Sequence, residues 1–167
     1  RIKRMSKATM NNIDLNISVK QEYSINGNKD MIIKLNPGDM HIITRLNEII
    51  PQLNELEREY QSLFSTAPDE EDVDGTLATF STNFKELDSK TRELVDYLFD
   101  YNVCDVCANG GSMFDLQDGE YRFSVIINTL MTLYEETITE ETKKMLNKMK
   151  KRVEKYTNRD HKRKGSK

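Results

Sequence analysis

Two runs of apolar residues, spaced alternately three and four apart, constrain this chain more than any other feature. In the first run Leu46, Ile49, Leu53, Leu56, Tyr60 and Leu63 recur at gaps of 3, 4, 3, 4 and 3. In the second, Leu77, Phe80, Phe84, Leu87, Thr91, Leu94, Leu98 and Tyr101 keep the same alternation. That spacing places each set on one stripe of an α-helix, and such a stripe is stable in water only when another element covers it. The intervening TAPDEEDVDG (66–75) is acidic and rich in turn residues, so it reads as a mobile linker. Together they predict an antiparallel helical hairpin or a paired oligomer. Pro51 falls inside the first seam and predicts a kink or break near Ile50.

The flanking segments fit a mainly helical domain with a small β element. IDLNISV alternates Ile13, Leu15, Ile17 and Val19 with polar residues, as a half-buried strand does. Asn26-Gly27 is a strong hairpin signal, so a turn is expected near 26–29 with Met31–Leu35 as the return strand. A lone hairpin is marginal in water and must pack on helices or pair between subunits. Asn36-Pro37-Gly38-Asp39 then suits a helix start, with Asn36 as cap and Pro37 in the first helical position. Beyond the second seam, NVCDVCANGGSMFDLQDGEY forms a hinge with its turn at Asp118-Gly119. A third helix, about Tyr121–Glu136, is expected to bury Phe123, Ile126, Ile127, Leu130, Leu133 and Tyr134. Thr139 caps a last helix with Ile138, Met145, Met149, Val153 and Tyr156 on one side and lysines on the other. The predicted class is mainly α (α+β): an N-terminal β hairpin followed by an antiparallel bundle of about four helices. Residues 1–11 read as a flexible extension, 12–158 as a single domain and 159–167 as a disordered basic tail.

Composition narrows the function. Apolar residues make up 37% and charged residues 32% of the 167, without a single Trp. No run approaches the length of a membrane span. The opening RIKRMSKATM lacks the apolar stretch of a secretory signal, and Met5 or Met10 is a candidate initiator. Two cysteines supply no disulfide framework, which favours a reducing cytoplasm. Charge is divided unevenly: residues 1–7 carry +4 and residues 143–167 carry +10, so a chain total of −3 leaves −17 on residues 8–142. A basic tail on an acidic body can bind nucleic acid or dock on the body of another subunit.

No constellation in the sequence reaches a catalytic signature. Cys104-x-x-Cys107 lacks the second ligand pair that a zinc site needs, because the remaining candidates are His41 and His161. It also lacks the βαβ setting of a redox pair, so half-buried structural thiols are the plainer reading. Asp115 and Asp118 miss the alternate spacing of a calcium loop, and Gly110-Gly111-Ser112 lacks the lysine of a phosphate loop. The acidic run Asp69, Glu70, Glu71, Asp72, Asp74 reads as a solvated linker, and His41 as a surface or boundary residue near a helix start. The expectation is a non-enzyme without cofactor or metal. Lys148, Lys151, Arg152, Lys155 and Arg159 could contact nucleic acid or an acidic partner. Aromatic interleaving for base stacking is limited to Tyr156, and membrane anchors are lacking.

The segment NVCDVCANGGSMFDLQDGEYRFSVIINTLMTLYEE resembles a recurring segment of short proteins encoded by the tail modules of siphophages and prophages of Gram-positive bacteria. DMIIKLNPGDMHIITRLNEI, following the Asn-Gly hairpin, resembles the start of the same proteins. The resemblance spans roughly Met10–Tyr156 and leaves the residues on either side outside it. It implies a tail-assembly-chaperone-like protein of the host cytoplasm that coats the long helical tape-measure protein during virion assembly. No functional residue of the family is carried over. From the residues themselves, Leu94, Leu98, Phe114, Phe123, Ile127, Met131, Met145 and Met149 are candidate borders of a groove for such a client, or else this domain's own core. A homo-oligomer is expected. The rival readings are a small phage-encoded regulator or inhibitor of a host system, and a nucleic-acid-associated protein acting through its basic last helix.

Overall fold

The computed structural model describes residues 10–15, 20–65, 70–137 and 140–164, with side chains described as far as residue 154, Glu141 excepted. The chain is mainly helical with a small antiparallel hairpin, as the sequence predicts. Strands β1 (Gln21–Ile25) and β2 (Asn28–Leu35) are joined by Asn26 and Gly27. Both turn residues have positive φ, 53° and 69°, the requirement of the tight hairpin turn that follows the right-handed twist of its strands. Ser24 pairs with Ile32 whereas Ile25 pairs with Asn28, so β2 bulges between them. Ile33 and Leu35 point into the core while Lys34 between them faces solvent.

The first strand among the described residues is thus β1, and of the expected Ile13–Val19 segment residues 13–15 carry no strand. Residues 11–15 form no regular structure, Ile13 and Leu15 are 79% and 70% exposed, and 16–19 lie outside the described residues. The Asn-Gly turn hands the pairing edge of β2 to the segment directly before it, which closes the shortest possible loop.

Helix α1 (His41–Ser62) starts later than the Asn36-Pro37 signal suggests. Asn36 makes a turn of its own, its Oδ1 accepting from the Gly38 amide at 3.2 Å. Asp39 serves the helix instead: its Oδ1 accepts the His41 amide at 2.9 Å. The helix then runs unbroken through Pro51, contrary to the expected break. Pro51 and Asn47, whose carbonyl loses its donor, both lie on the exposed side, where water can meet the orphaned oxygen. On the other side Leu46, Ile49, Leu53 and Leu56 are buried, as their spacing requires.

Helix α2 (Val73–Phe99) returns antiparallel to α1. The base of the pair is marked by Arg45 against Leu98 and Glu48 against Tyr97, the far end by Tyr60 against Phe84 and Phe64 against Phe80. Asp72 caps α2 by accepting the Gly75 amide at 3.0 Å, so most of the expected linker shrinks to residues 66–71, of which 66–69 lie outside the described residues. Asp100, left-handed at φ 49°, ends the helix.

A short helix α3 (Val103–Cys107) and a two-residue ribbon, β3 (Leu116–Gln117) with β4 (Glu120–Tyr121), turn the chain into α4 (Arg122–Glu135). The ribbon turns at Asp118-Gly119, as read from the sequence, with φ of 52° and 82°. Phe123, Ile126, Ile127, Leu130, Met131 and Tyr134 of α4 are buried, and Leu133 is half-buried. Each such side chain contributes roughly 1.5–3 kcal/mol relative to exposure. Helix α5 (Glu140–Lys164) packs on α1 and α4 through Leu146, Met149 and Val153. Met145, expected on that inner stripe, is 51% exposed, and Leu146 takes its place. The helix also continues through 159–164, where a disordered tail was expected. The proposed cap Thr139 and Ile138 lie outside the described residues, as do residues 1–9.

Candidate interaction surface

The hinge that carries both cysteines is a structural clamp. Asp88 of α2 reaches across to it: Oδ1 accepts the Ser112 hydroxyl at 2.9 Å and the Met113 amide at 2.6 Å. Its other oxygen accepts from Arg92 Nε at 2.9 Å, and Arg92 in turn donates to the carbonyl of Gly111. From the other side Arg122 donates to the Ala108 carbonyl at 2.9 Å and pairs with Asp115 at 3.2 Å. Gly111 sits in the middle of this knot, and a Cβ there would overlap the Arg122 guanidinium. Gly111 is thus required by packing, whereas Gly110 has open space around it and is required by its φ of 80°.

Both cysteines are free thiols within this hinge. Cys104 is buried, its amide donates to Asp96 at 2.9 Å, and its thiol touches the Met113 sulfur at 3.6 Å. Burial, and then the Asp96 carboxylate, push its pKa well up; the same causes raise Cys107 to about 11. Thiols held neutral in this way are poor nucleophiles and poor metal ligands. Among the described residues no group of three His, Cys, Asp or Glu side chains is placed to hold a metal.

The eight groove candidates do not form an open groove. Leu98, Phe114, Phe123, Ile127 and Met131 are buried inside the bundle, in keeping with the alternative that they are this domain's own core. Phe114 is stacked on Tyr60 at 4.3 Å and meets Phe123 edge-on at 5.8 Å, a packing of rings with little room for a client. Met149 is half-buried on the inner side of α5. Leu94 and Met145 reach the surface, Leu94 in a shallow notch with Gln52, Leu56 and Lys90.

What stays open is the far end of the α1–α2 hairpin. Between Val73 and Glu86, α2 has no buried residue, although its apolar stripe continues without change. Phe64, Leu77 and Val73 are 61%, 59% and 51% exposed, and Phe80 and Phe84 are half-buried. The rings form a ladder from the core outwards: Phe114 to Tyr60, Tyr60 to Phe84 at 6.2 Å, Phe84 to Phe80 at 6.1 Å, and Phe80 to Phe64 at 5.5 Å. Exposed Glu70, Glu71, Asp72 and Asp74 rim it. A contiguous apolar patch with a polar rim is the form of a protein contact surface. The sequence supplied Leu77, Phe80 and Phe84 as seam members but not Phe64 or Val73, and nothing in a heptad pattern says how far along it a covering helix will extend.

Two further surfaces are polar. Lys148, Lys151 and Arg152 are exposed on α5, turned away from Leu146 and Val153 by their helical spacing; the Lys155 and Arg159 side chains lie outside the described residues. At the base of the hairpin a cleft of about 680 Å³ is lined by His41, Arg45, Glu48, Asp96, Tyr97 and Asp100, with His41 exposed at the first position of α1. Several of its polar groups are already engaged: Arg45 pairs with Asp39 at 2.6 Å and donates to the Leu98 carbonyl at 2.9 Å, and Tyr97 donates to Glu48. No helix among the described residues is long and apolar enough to cross a membrane. Comparison with known protein families, curated proteins and solved structures found no match.

Proposed function

We propose that the protein is a non-enzymatic binding module that holds a helical protein client on the exposed tip of its α1–α2 hairpin. The observation that supports this is the exposed half-seam of α2, Leu77, Phe80 and Phe84, joined by Phe64 from the turn after α1, on a hairpin otherwise packed into a bundle. Two antiparallel helices with an unfilled groove accept a third amphipathic helix as the next member of the bundle. The tail-module resemblance supplies the identity of the client: a long tape-measure-like protein, bound in the host cytoplasm during virion assembly.

The test is recovery of the tagged chain from phage-producing cells, with and without nuclease, beside its Leu77→Glu variant. The reading predicts one long helical protein with the wild type, indifferent to nuclease and lost with the variant. Nucleic acid or a host regulatory protein as the main companion would replace it with one of the rival readings. Of these the nucleic-acid reading has the exposed Lys148, Lys151 and Arg152 in its favour. It predicts salt-sensitive DNA binding that disappears when the chain ends at Thr142.

A further inference from the structure

The chain carries two surfaces that are complementary in both apolar and charged character. On the hairpin tip, exposed Val73 and Leu77 lie beside Glu70 and Asp74, and neither acid makes an ion pair among the described residues. On the outer side of α5, exposed Met145 is followed one and two turns later by Lys148 and Arg152, with Lys144 and Lys151 alongside; none of these four bases is ion-paired among the described residues. The contrast with their neighbours is informative. Lys143 and Lys150, on the flanks of the same helix, are engaged with Glu140 at 3.1 Å and Glu135 at 2.7 Å. The bases with acids in reach are paired, and the remainder form a stripe facing outward.

We propose that a second copy of the chain covers the tip: the outer face of α5 in one molecule seats on the α1–α2 tip of another. Met145 meets the Leu77 side of the apolar patch, and Lys148 and Arg152 meet Glu70 and Asp74. Two molecules can make this contact reciprocally about a twofold axis, each giving one surface and receiving the other. Charged rims of this kind fix register and speed encounter, and the apolar centre supplies the burial. The contact uses the surface assigned above to a client but does not depend on that assignment, and self-association is measured with no client present.

The experiment is sedimentation velocity of the full chain over a range of concentrations, at about 0.1 M and about 1 M salt, across which the screening length falls from about 10 to about 3 Å. Wild type is expected to gain mass with concentration at low salt and to lose that gain at high salt. Lys148→Glu/Arg152→Glu and Glu70→Lys/Asp74→Lys are each expected to remain monomeric. An equimolar mixture of the two, and the chain carrying all four reversals, are expected to associate again. Circular dichroism of each variant verifies that the fold is retained, since all four positions are exposed. Wild type that is monomeric throughout at low salt, association that survives either reversal, or failure of the mixture to recover would each overturn the proposal. So would association strengthened by salt, which would mark a purely apolar contact.

Discussion

At its base the apolar seam of the α1–α2 hairpin is buried under other elements, and at its tip it is exposed, although one apolar period runs along α2 through both. The base has Leu46, Ile49 and Leu53 facing Val95, Leu98 and Phe99, with α4 and α5 laid across them. Arg45 locks it by holding Asp39 at 2.6 Å and the Leu98 carbonyl at 2.9 Å. At the tip Leu77 and Phe80 keep the same helical geometry, Phe64 joins them from the turn after α1, and no helix among the described residues covers them. The difference lies in what packs onto the seam, since the seam itself does not change. It teaches that a continuous heptad stripe can be half core and half contact surface.

Substitutions can break this comparison, and the largest effect is expected in the buried core. Phe123→Ala removes a buried ring that touches Phe114 and Tyr121, and should cost about 3–5 kcal/mol in urea unfolding. Leu98→Ala should fall within the same few kcal/mol. Comparable losses from Phe64→Ala or Leu77→Ala would mean that the tip is core after all.

Next is the clamp. Asp88→Ala strands the Arg92 guanidinium, the Ser112 hydroxyl and the Met113 amide, and is expected to cost roughly 2–4 kcal/mol. Gly111→Ala must displace Arg122 and should lose about 1–3 kcal/mol, whereas Gly38→Ala, with only Asn36 Oδ1 nearby at 3.6 Å, should stay within about 1 kcal/mol. Equal midpoints for the two glycine variants would contradict the clamp.

Acid sharpens the account of the base. Burial pushes the Asp39 pKa up, but the hydrogen bond from Arg45, the His41 amide and the Arg45 charge outweigh it and hold the carboxyl below its ordinary 3.8. A carboxyl lowered on folding stabilises the native state above its unfolded pKa, and that stability is lost as pH falls through the folded value. Asp39→Asn should therefore be less stable than wild type at neutral pH and should close part of that gap below about pH 4, as followed by circular dichroism. A constant gap across the titration would remove the ion pair from the account. The smallest change in stability, within about 1 kcal/mol, is expected for Phe64→Ser and Leu77→Ser, whose effect should fall on partner binding.

Much of the fold was legible because it depends on local spacing. The two seams, the Asn26-Gly27 and Asp118-Gly119 turns and the buried face of α4 follow from side-chain period and from the φ that turns demand. What was missed depends on competition between segments. Ile13 and Leu15 alternate well enough for a strand, yet a tight turn gave the pairing to Gln21–Ile25. Pro51 signals a break in isolation, but placed on the solvent side it costs the helix only an exposed hydrogen bond. Met145 and Leu146 are adjacent and equally apolar, and only the docking angle of α5 decides which one is buried. The clamp was invisible for a related reason: Asp88 and Arg92 read as an ordinary helical ion pair until the hinge folds back on them. The tip as a surface could not be read from its seam, because Leu77, Phe80 and Phe84 obey the same pattern as the core.

Amide hydrogen exchange of the free protein, in solution dilute enough to be monomeric, tests the central claim most directly. The account predicts fast exchange along α2 from residue 77 to 86 and strong protection from 90 to 99 within the same helix, with addition of a bound partner slowing the first half alone. Uniform protection along α2 in the monomer would show that the tip is already covered, and would contradict its role as a contact surface.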